Sequence, residues 1–438
     1  MKYYLAIDIG ASSGRHIIGY MKDGEICTEE IYRFENHMDN LDGHLVWDID
    51  RLFEEVLRGI ELSFKVYPKI ESLSIDTWGV DYVLMKDDEE IRPAYAYRDG
   101  RTETVVDDVH ALISFKELYE HTGIQFQKFN TVYQLYVDKL WGRLDEATDF
   151  LMIPEYLMYK LTGVKKKEVT NATTTGMVNA MTLRYDRKIW SCLGLPIKLD
   201  AQLHMPGETV GRLKADIAKR VGGDLEVVLC ATHDTASAVE AIDMQNNSPY
   251  ISSGTWSLLG VKTPHALTDE KSRESNYSNE GGVSYNRYQK NITGMWIVQS
   301  LRAELCPDMS YSDIVKMATE SNFGEVFDVN DEMFSAPDSM KSAIDRYLFG
   351  HGKRLPRNLS DYFKSAYTSL GYCYGEAIRD MESNTGATYK DIYIVGGGAK
   401  NDYLNRLTER YTGKKVIALP IEATAIGNIK IQMTRRKV

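Results

Sequence analysis

The run Cys230-Ala231-Thr232-His233-Asp234-Thr235-Ala236 carries residues well suited to moving a proton. It follows the apolar run Leu225–Leu229, which predicts a buried strand, and precedes small and apolar residues at helical spacing through Ile242. Asp234 therefore falls at a strand-to-helix junction, where α/β folds open a cleft. A helix start favours negative charge, and a carboxylate there can accept a proton from a bound hydroxyl. The position also suits a plain helix cap, with Asp234 or Thr235 as the N-cap, so residue type alone leaves both readings open.

Two turns tilt the balance toward chemistry. Tyr3–Ile9 reads as a strand, Gly10-Ala11-Ser12-Ser13-Gly14 as a turn, and His16–Tyr20, just past Arg15, as a second strand. Pro249–Val261 repeats that logic around Ser252-Ser253-Gly254-Thr255. A Gly/Ser turn aims backbone N–H groups and hydroxyls at one spot, which suits a phosphate as well as an ordinary hairpin tip. Its recurrence in the other half predicts a duplicated architecture. Asp8 would face the same phosphates, and two anions stay close only across a divalent cation. Mg²⁺, largely water-coordinated, is the expected ion, with Asp8 acting through water.

Other stretches suit a polar ligand. Thr77-Trp78-Gly79-Val80-Asp81 and Tyr95-Ala96-Tyr97-Arg98-Asp99-Gly100-Arg101 set aromatic rings beside charged groups, as sugar sites do, although Trp78 suits a core equally well. The strand Asp391–Val395 runs into Gly396-Gly397-Gly398, where a flat base or a phosphate can lie against backbone. Glu168–Thr175 reads as a hydroxyl-rich loop without an assigned role. His265–Gln289 reads as a long polar connection, followed by a helix with Asn291, Trp296 and Gln299 near its start.

These residues need a scaffold of some size. At 438 residues the chain exceeds one core and predicts at least two domains. Tyr3–Phe34 predicts an antiparallel meander, Asp50–Val66 a surface helix, Ser72–Asp76 a buried strand, and Asn358–Glu382 a long amphipathic helix. A net charge of −11 argues against non-specific nucleic-acid binding. No stretch has the apolar length of a membrane span, and the N-terminus does not read as a signal peptide. The five cysteines are scattered without a C-x-x-C pair, which fits a reducing cytoplasm and neither a disulfide framework nor a zinc knuckle.

With these motifs in hand, the chain resembles the FGGY family of carbohydrate kinases. Asp8–Arg15 is similar to the family's first phosphate motif, Ser252–Thr255 to its second, and Gly396–Asn401 to its adenosine motif. His233-Asp234-Thr235 matches the stretch that holds the catalytic base, and Asp76–Asp81 with Tyr97–Thr102 look like sugar-side motifs. The resemblance implies two actin-like (ribonuclease H-like) α/β domains, 1–244 for sugar and 245–438 for nucleotide, with a cleft between them. It implies Asp234 as base, with Gly79, His233, Thr235, Asn291, Trp78 and Arg98 on the sugar. It implies ATP held by Ala11, Ser12, Ser13, Gly14, Arg15, Thr255, Gln299, Gly397 and Gly398, and a monomer or homodimer. The implied reaction is phosphorylation of the 1-hydroxyl of L-rhamnulose by ATP. Other ketoses, such as L-fuculose or a pentulose, an actin-like ATPase switch, and an inactive shortened kinase are the competing readings. A dinucleotide site at Gly396–Gly398 is disfavoured, because the G-x-G-x-x-G spacing is missing. Family members continue in helices beyond the element matched by Glu422–Asn428, whereas this chain stops at Val438. That predicts a shortened nucleotide domain and an incompletely covered face on the helix Asn358–Glu382.

Overall fold

The structure, a computed structural model, describes residues 1–244, 248–335, 337–419 and 422–435. The chain forms two compact units, and each is built on a mixed sheet. Unit one comprises Met1–Asp243, Thr263–Tyr288 and the chain from Glu422 onward; unit two comprises Met244–Lys262 and Gln289–Ile421. The expected division at 244/245 adjoins residues 245–247, which lie outside the described residues, as do 436–438. Two stretches of the second half, Thr263–Tyr288 and the last helix, Ala423–Thr434, pack within unit one.

Unit one opens with β1 (Tyr4–Ile9), β2 (Ser13–Lys22) and β3 (Glu25–Glu35), the predicted meander. Helix α1 (Ile49–Val66) follows, capped by Asp48, and then β4 (Ser72–Thr77), β5 (Thr209–Arg212), β6 (Glu226–Val228) and helix α2 (Asp234–Glu240). The strand order is β5-β6-β4-β1-β2-β3. β4 pairs parallel with β1 and with β6, and the hairpins pair antiparallel. Leu52, Val56, Leu57 and Ile60 of α1 fall at helical spacing and bury one face among Leu5, Ile7, Leu73 and Ile75.

The last helix packs on the sheet's other side, where Ala425 and Ile429 meet Ala6 and Ile17. Close approach explains two glycines here. A Cβ on Gly427 would fall 1.7 Å from the Ser237 carbonyl of α2, and one on Gly19 would fall 2.4 Å from Ile429.

Unit two repeats the opening pattern with β7 (Tyr250–Ser253) and β8 (Trp256–Thr263). Helices α3 (Trp296–Leu305), α4 (Tyr311–Glu320) and α5 (Leu359–Thr385) follow, then β9 (Asp391–Val395), α6 (Asp402–Thr412) and β10 (Lys415–Ala418). β7 pairs antiparallel with β8 and parallel with β9, as β1 does with β2 and β4. The predicted bare face on α5 is corrected. Phe363, Ala366, Leu370, Cys373, Ala377 and Met381 are all buried, with α3, α4 and α6 packed on the helix. Among the described residues no helix is long and apolar enough to cross a membrane.

Candidate active site

Parallel register sets Asp8 of β1 directly beside Asp76 of β4. Both carboxyls are pushed up by burial, Asp76 well above the usual carboxylate range, and the charges of Asp8 and Asp234 add to that shift. Arg15, opposite Asp8 on β2, answers part of the charge. Its guanidinium donates to Asp8 at 2.6 Å and to the carboxylate of Glu422. From the last helix, Asn428 Nδ2 donates to Asp76 Oδ2, while the buried Asp76 Oδ1 has no protein partner. A buried carboxylate pair with one open oxygen fits a divalent cation held through its water shell. Among the described residues no cluster of three or more His, Cys, Asp or Glu is arranged to chelate a metal.

Asp234 is the first residue of α2, with His233 in the cap position, so neither Asp234 nor Thr235 is the N-cap expected above. The cause is local: Asp234 Oδ1 turns back to accept from Thr235 N at 2.5 Å and Thr235 Oγ1 at 3.0 Å. Its side chain is 31% exposed while Asp8 and Asp76 are buried, which makes Asp234 the most exposed carboxylate of the three.

The segment before Asp234 is fixed from beneath. Thr77 N donates to Thr232 O at 2.9 Å, extending β4 alongside it. The fully buried Glu168 accepts from Thr232 N and Oγ1, from Thr170 N and Oγ1, and from Asn171 N, at 2.6–3.2 Å. Asn171 Nδ2 donates to the carbonyls of Thr232 and Trp78. The hydroxyl-rich loop predicted over Glu168–Thr175 is thus corrected to a buried short helix, Val169–Ala172, and a 3₁₀ turn, Thr173–Thr175, that hold both motifs in place.

In the Thr77–Asp81 motif, Asp81 is a hub. Its Oδ2 accepts from the indole N–H of Trp47 at 2.7 Å, of Trp78 at 2.9 Å and from Tyr97 N at 3.1 Å, and Gln134 donates to Oδ1. Burial still pushes its carboxyl up to about 6. Trp78 packs on Trp47 with ring centroids 4.2 Å apart and is mostly buried, so its ring forms a wall rather than an exposed platform.

Val80 adopts φ +66° within a turn closed by Asp81 N donating to Gly79 O. For a β-branched residue that conformation costs ~1–3 kcal/mol. Thr174 and Thr131 secure it by bonding the Val80 N–H and carbonyl. Gly79 has no room for a Cβ, which would lie 2.9 Å from Thr174. The two arginines of the motif part company. Arg101 is buried on Asp138 and Gln134, while the half-buried Arg98 reaches the Tyr97 hydroxyl at 3.1 Å.

The first Gly/Ser turn is shorter than predicted, because Ser13, Gly14 and Arg15 already belong to β2. Gly10 N bonds Ser13 O, Ser12 is exposed, Ala11 is half-buried beside it, and Asn36 braces the turn through Ser12 O and Gly10 O. Gly14 serves packing: a Cβ there would meet the Phe34 ring at 2.1 Å.

In unit two, the Gly254-Thr255 turn is held by Gly294 N and Trp296 N, which donate to Thr255 O. Gln299 lies on the first turn of α3. Asn291 lies on the strand Asn286–Thr293 rather than on a helix, and belongs to unit two, whereas Gly79, His233 and Asp234 belong to unit one. Gly396 and Gly398 press on Ser253, so their missing Cβ atoms are structural. Gly397 faces open space and has room for a ligand.

Sequence reasoning missed Glu168, Asn428, Glu280 and Arg287. The last two lie in the predicted polar connection, which is in fact built of the short helix Glu270–Glu274 and strands Ser278–Gly281 and Asn286–Thr293. Arg287 is fully buried and bonds Glu280 and His233.

Two mixed sheets that each begin with a phosphate-suited hairpin define an actin-like ATPase fold, and the chain belongs to the FGGY family of carbohydrate kinases. Residues 3–240 match the family's N-terminal domain and residues 249–435 its C-terminal domain. The chain is 42% identical over 433 residues to a rhamnulokinase of Oceanobacillus iheyensis, covering 98% of this chain and 92% of that one. It is 38% identical to a rhamnulokinase of Bacillus subtilis, covering 99% and 89%. Among solved structures, a ligand-bound xylulose kinase from Lactobacillus acidophilus superposes with a TM-score of 0.82 at 16% identity, covering 99% of this chain and 89% of that one. The ADP complex of Plasmodium falciparum glycerol kinase superposes with a TM-score of 0.77 at 14% identity, covering 98% and 89%. Sugar kinases of this family use ATP, and the chain is such a phosphotransferase.

Proposed function

We propose that this protein transfers the γ-phosphoryl group of ATP to the 1-hydroxyl of L-rhamnulose. The observation that carries the choice of sugar is the 42% identity over 98% of the chain to a rhamnulokinase. Asp234 is the proposed base: it is the most exposed of the three carboxylates and sits at a helix start, placed to take the proton as the hydroxyl attacks. Gly79, His233, Thr235, Asn291, Trp78 and Arg98 are proposed to define the sugar side. Ala11 to Arg15, Thr255, Gln299, Gly397 and Gly398 are proposed to hold the nucleotide. Arg15 is already engaged by Asp8 and Glu422, so its part is to set the charge beneath the phosphate turn. Asp8 and Asp76 would hold Mg²⁺ through water, and the cation would neutralise charge on the transferring group. The five free cysteines support a cytoplasmic enzyme, acting as monomer or homodimer.

A coupled ADP-release assay with L-rhamnulose, L-fuculose, D-xylulose, glycerol and no sugar tests the reading. Turnover should be highest with L-rhamnulose. Equal ADP release without sugar, or preference for another acceptor, would overturn it.

A further inference from the structure

The pair behind His233 has a consequence for how the sugar is gripped. We propose that Arg287, itself held by Glu280, is a buried positioning residue that keeps the His233 proton on Nε2, so that His233 donates a hydrogen bond to an oxygen of the acceptor ketose beside Asp234. The inference rests on the functional reading above.

Arg287 is fully buried, and three contacts of its guanidinium fix directions. Nε donates to Gly281 O at 2.9 Å, and one terminal nitrogen donates to Glu280 Oε2 at 2.9 Å and to His233 Nδ1 at 3.0 Å. A guanidinium has donors and no acceptor, so the nitrogen it meets must offer a lone pair. A neutral imidazole has one nitrogen of each kind, which places the proton on Nε2. Glu280 Oε2 also lies 3.2 Å from Nδ1 and by itself would draw the proton to that side. Its pairing with Arg287 satisfies that carboxylate and decides the tautomer the other way.

Nε2 lies 3.4 Å from Asp234 Oδ1, beyond a good hydrogen bond, and that oxygen already accepts from Thr235. The Nε2–H is therefore available to a ligand that reaches Asp234. An oxygen acceptor of a neutral polyol matches it. Burying an ion pair is a poor way to gain stability, since desolvation offsets the attraction, so its use here points to orientation.

Nitrogen NMR of histidine-labelled protein without sugar reads the tautomer, with His233→Gln identifying the signal. The wild type should show Nε2–H, and so should Arg287→Lys, which restores a cationic donor. Glu280→Gln should keep the same tautomer. Arg287→Met should shift the proton toward Nδ1 and raise KM for the sugar by about tenfold, the worth of one hydrogen bond of ~1.4 kcal/mol, with KM for ATP unchanged. An Nδ1–H signal in the wild type, or loss of Nε2–H in Glu280→Gln, overturns the proposal. An equal rise in both KM values with an unchanged tautomer also overturns it. If Arg287→Met fails to fold, the wild-type and Glu280→Gln signals decide. Lack of activity on every ketose would sink the functional reading alone, because the tautomer is read without substrate.

Discussion

Asn428 Nδ2 donates to Asp76 Oδ2 at 2.5 Å, joining residues 352 positions apart. The contact belongs to a ladder. Gln432 Nε2 donates to Asn428 Oδ1 and to Leu5 O, and Gln432 Oε1 accepts from Ser72. The last helix therefore orders a carboxyl at the centre of the sheet of unit one. Asn428→Leu is expected to destabilise unit one by ~2 kcal/mol, since it strands a buried carboxyl without its donor. Urea unfolding followed by circular dichroism checks it, and an unchanged midpoint would refute the role.

Asp234→Asn keeps the shape of the side chain and removes its basicity. Turnover should fall by roughly 10²–10⁴-fold, the usual contribution of a general base, while ATP binding by calorimetry stays near wild type.

The glycine triplet separates packing from ligand contact. A Cβ on Gly398 would lie 2.0 Å from Ser253 Oγ, so Gly398→Ala should lower the melting temperature. Gly397→Ala meets open space, and should leave the melting temperature unchanged while raising KM for ATP. Equal behaviour of the two variants in both measurements would remove Gly397 from the nucleotide side.

Glu168 gathers five donors beneath Thr232 and the Thr170–Asn171 turn. Glu168→Ala should cost ~3 kcal/mol or more, because each donor is left in a dry interior. Glu168→Gln keeps an acceptor and should retain most stability while lowering kcat through looser placement of Asp234. Stopped-flow turnover and thermal melts separate the two effects.

His16 supplies a pH test. Burial pushes its imidazole down to about 4 from 6.5, against a bond to Val56 O. Between these values the unfolded chain binds a proton that the folded one does not, so stability rises with pH from about 4 to 6.5 and is flat on either side. The contribution is at most ~3 kcal/mol. Asp81, pushed up to about 6, and Glu155, pushed up to about 8, slope the opposite way above their unfolded values. The clean readout is thus the difference between wild type and His16→Gln. The wild type should lose stability relative to the variant as pH falls from 6.5 to 4.5, and a constant difference would contradict it.

Sequence made legible what repeats or alternates. Apolar spacing gave the meander, α1 and α5, and the two glycine turns marked the duplicated hairpins. Asp234 stood out because a strand signal and a helix signal flank it. Glu168, Arg287, Asn428 and Gln432 did not stand out. A buried polar residue and a solvated one look alike in sequence, and what makes these four internal is partners up to 427 positions away. Trp78 shows the converse. An indole beside Asp and Gly is compatible with a sugar platform, but only the shared Asp81 carboxylate shows the ring to be a wall.

The placement of the helix Ala423–Thr434 also constrains how the protein is made. The first half of the chain leaves the ribosome with the back of β1 and β4 uncovered and Asp76 without its amide. Those surfaces must wait for the whole of unit two to be translated before their cover arrives. Nascent unit one is therefore the interval in which a chaperone, or a second nascent chain, can meet an exposed sheet face.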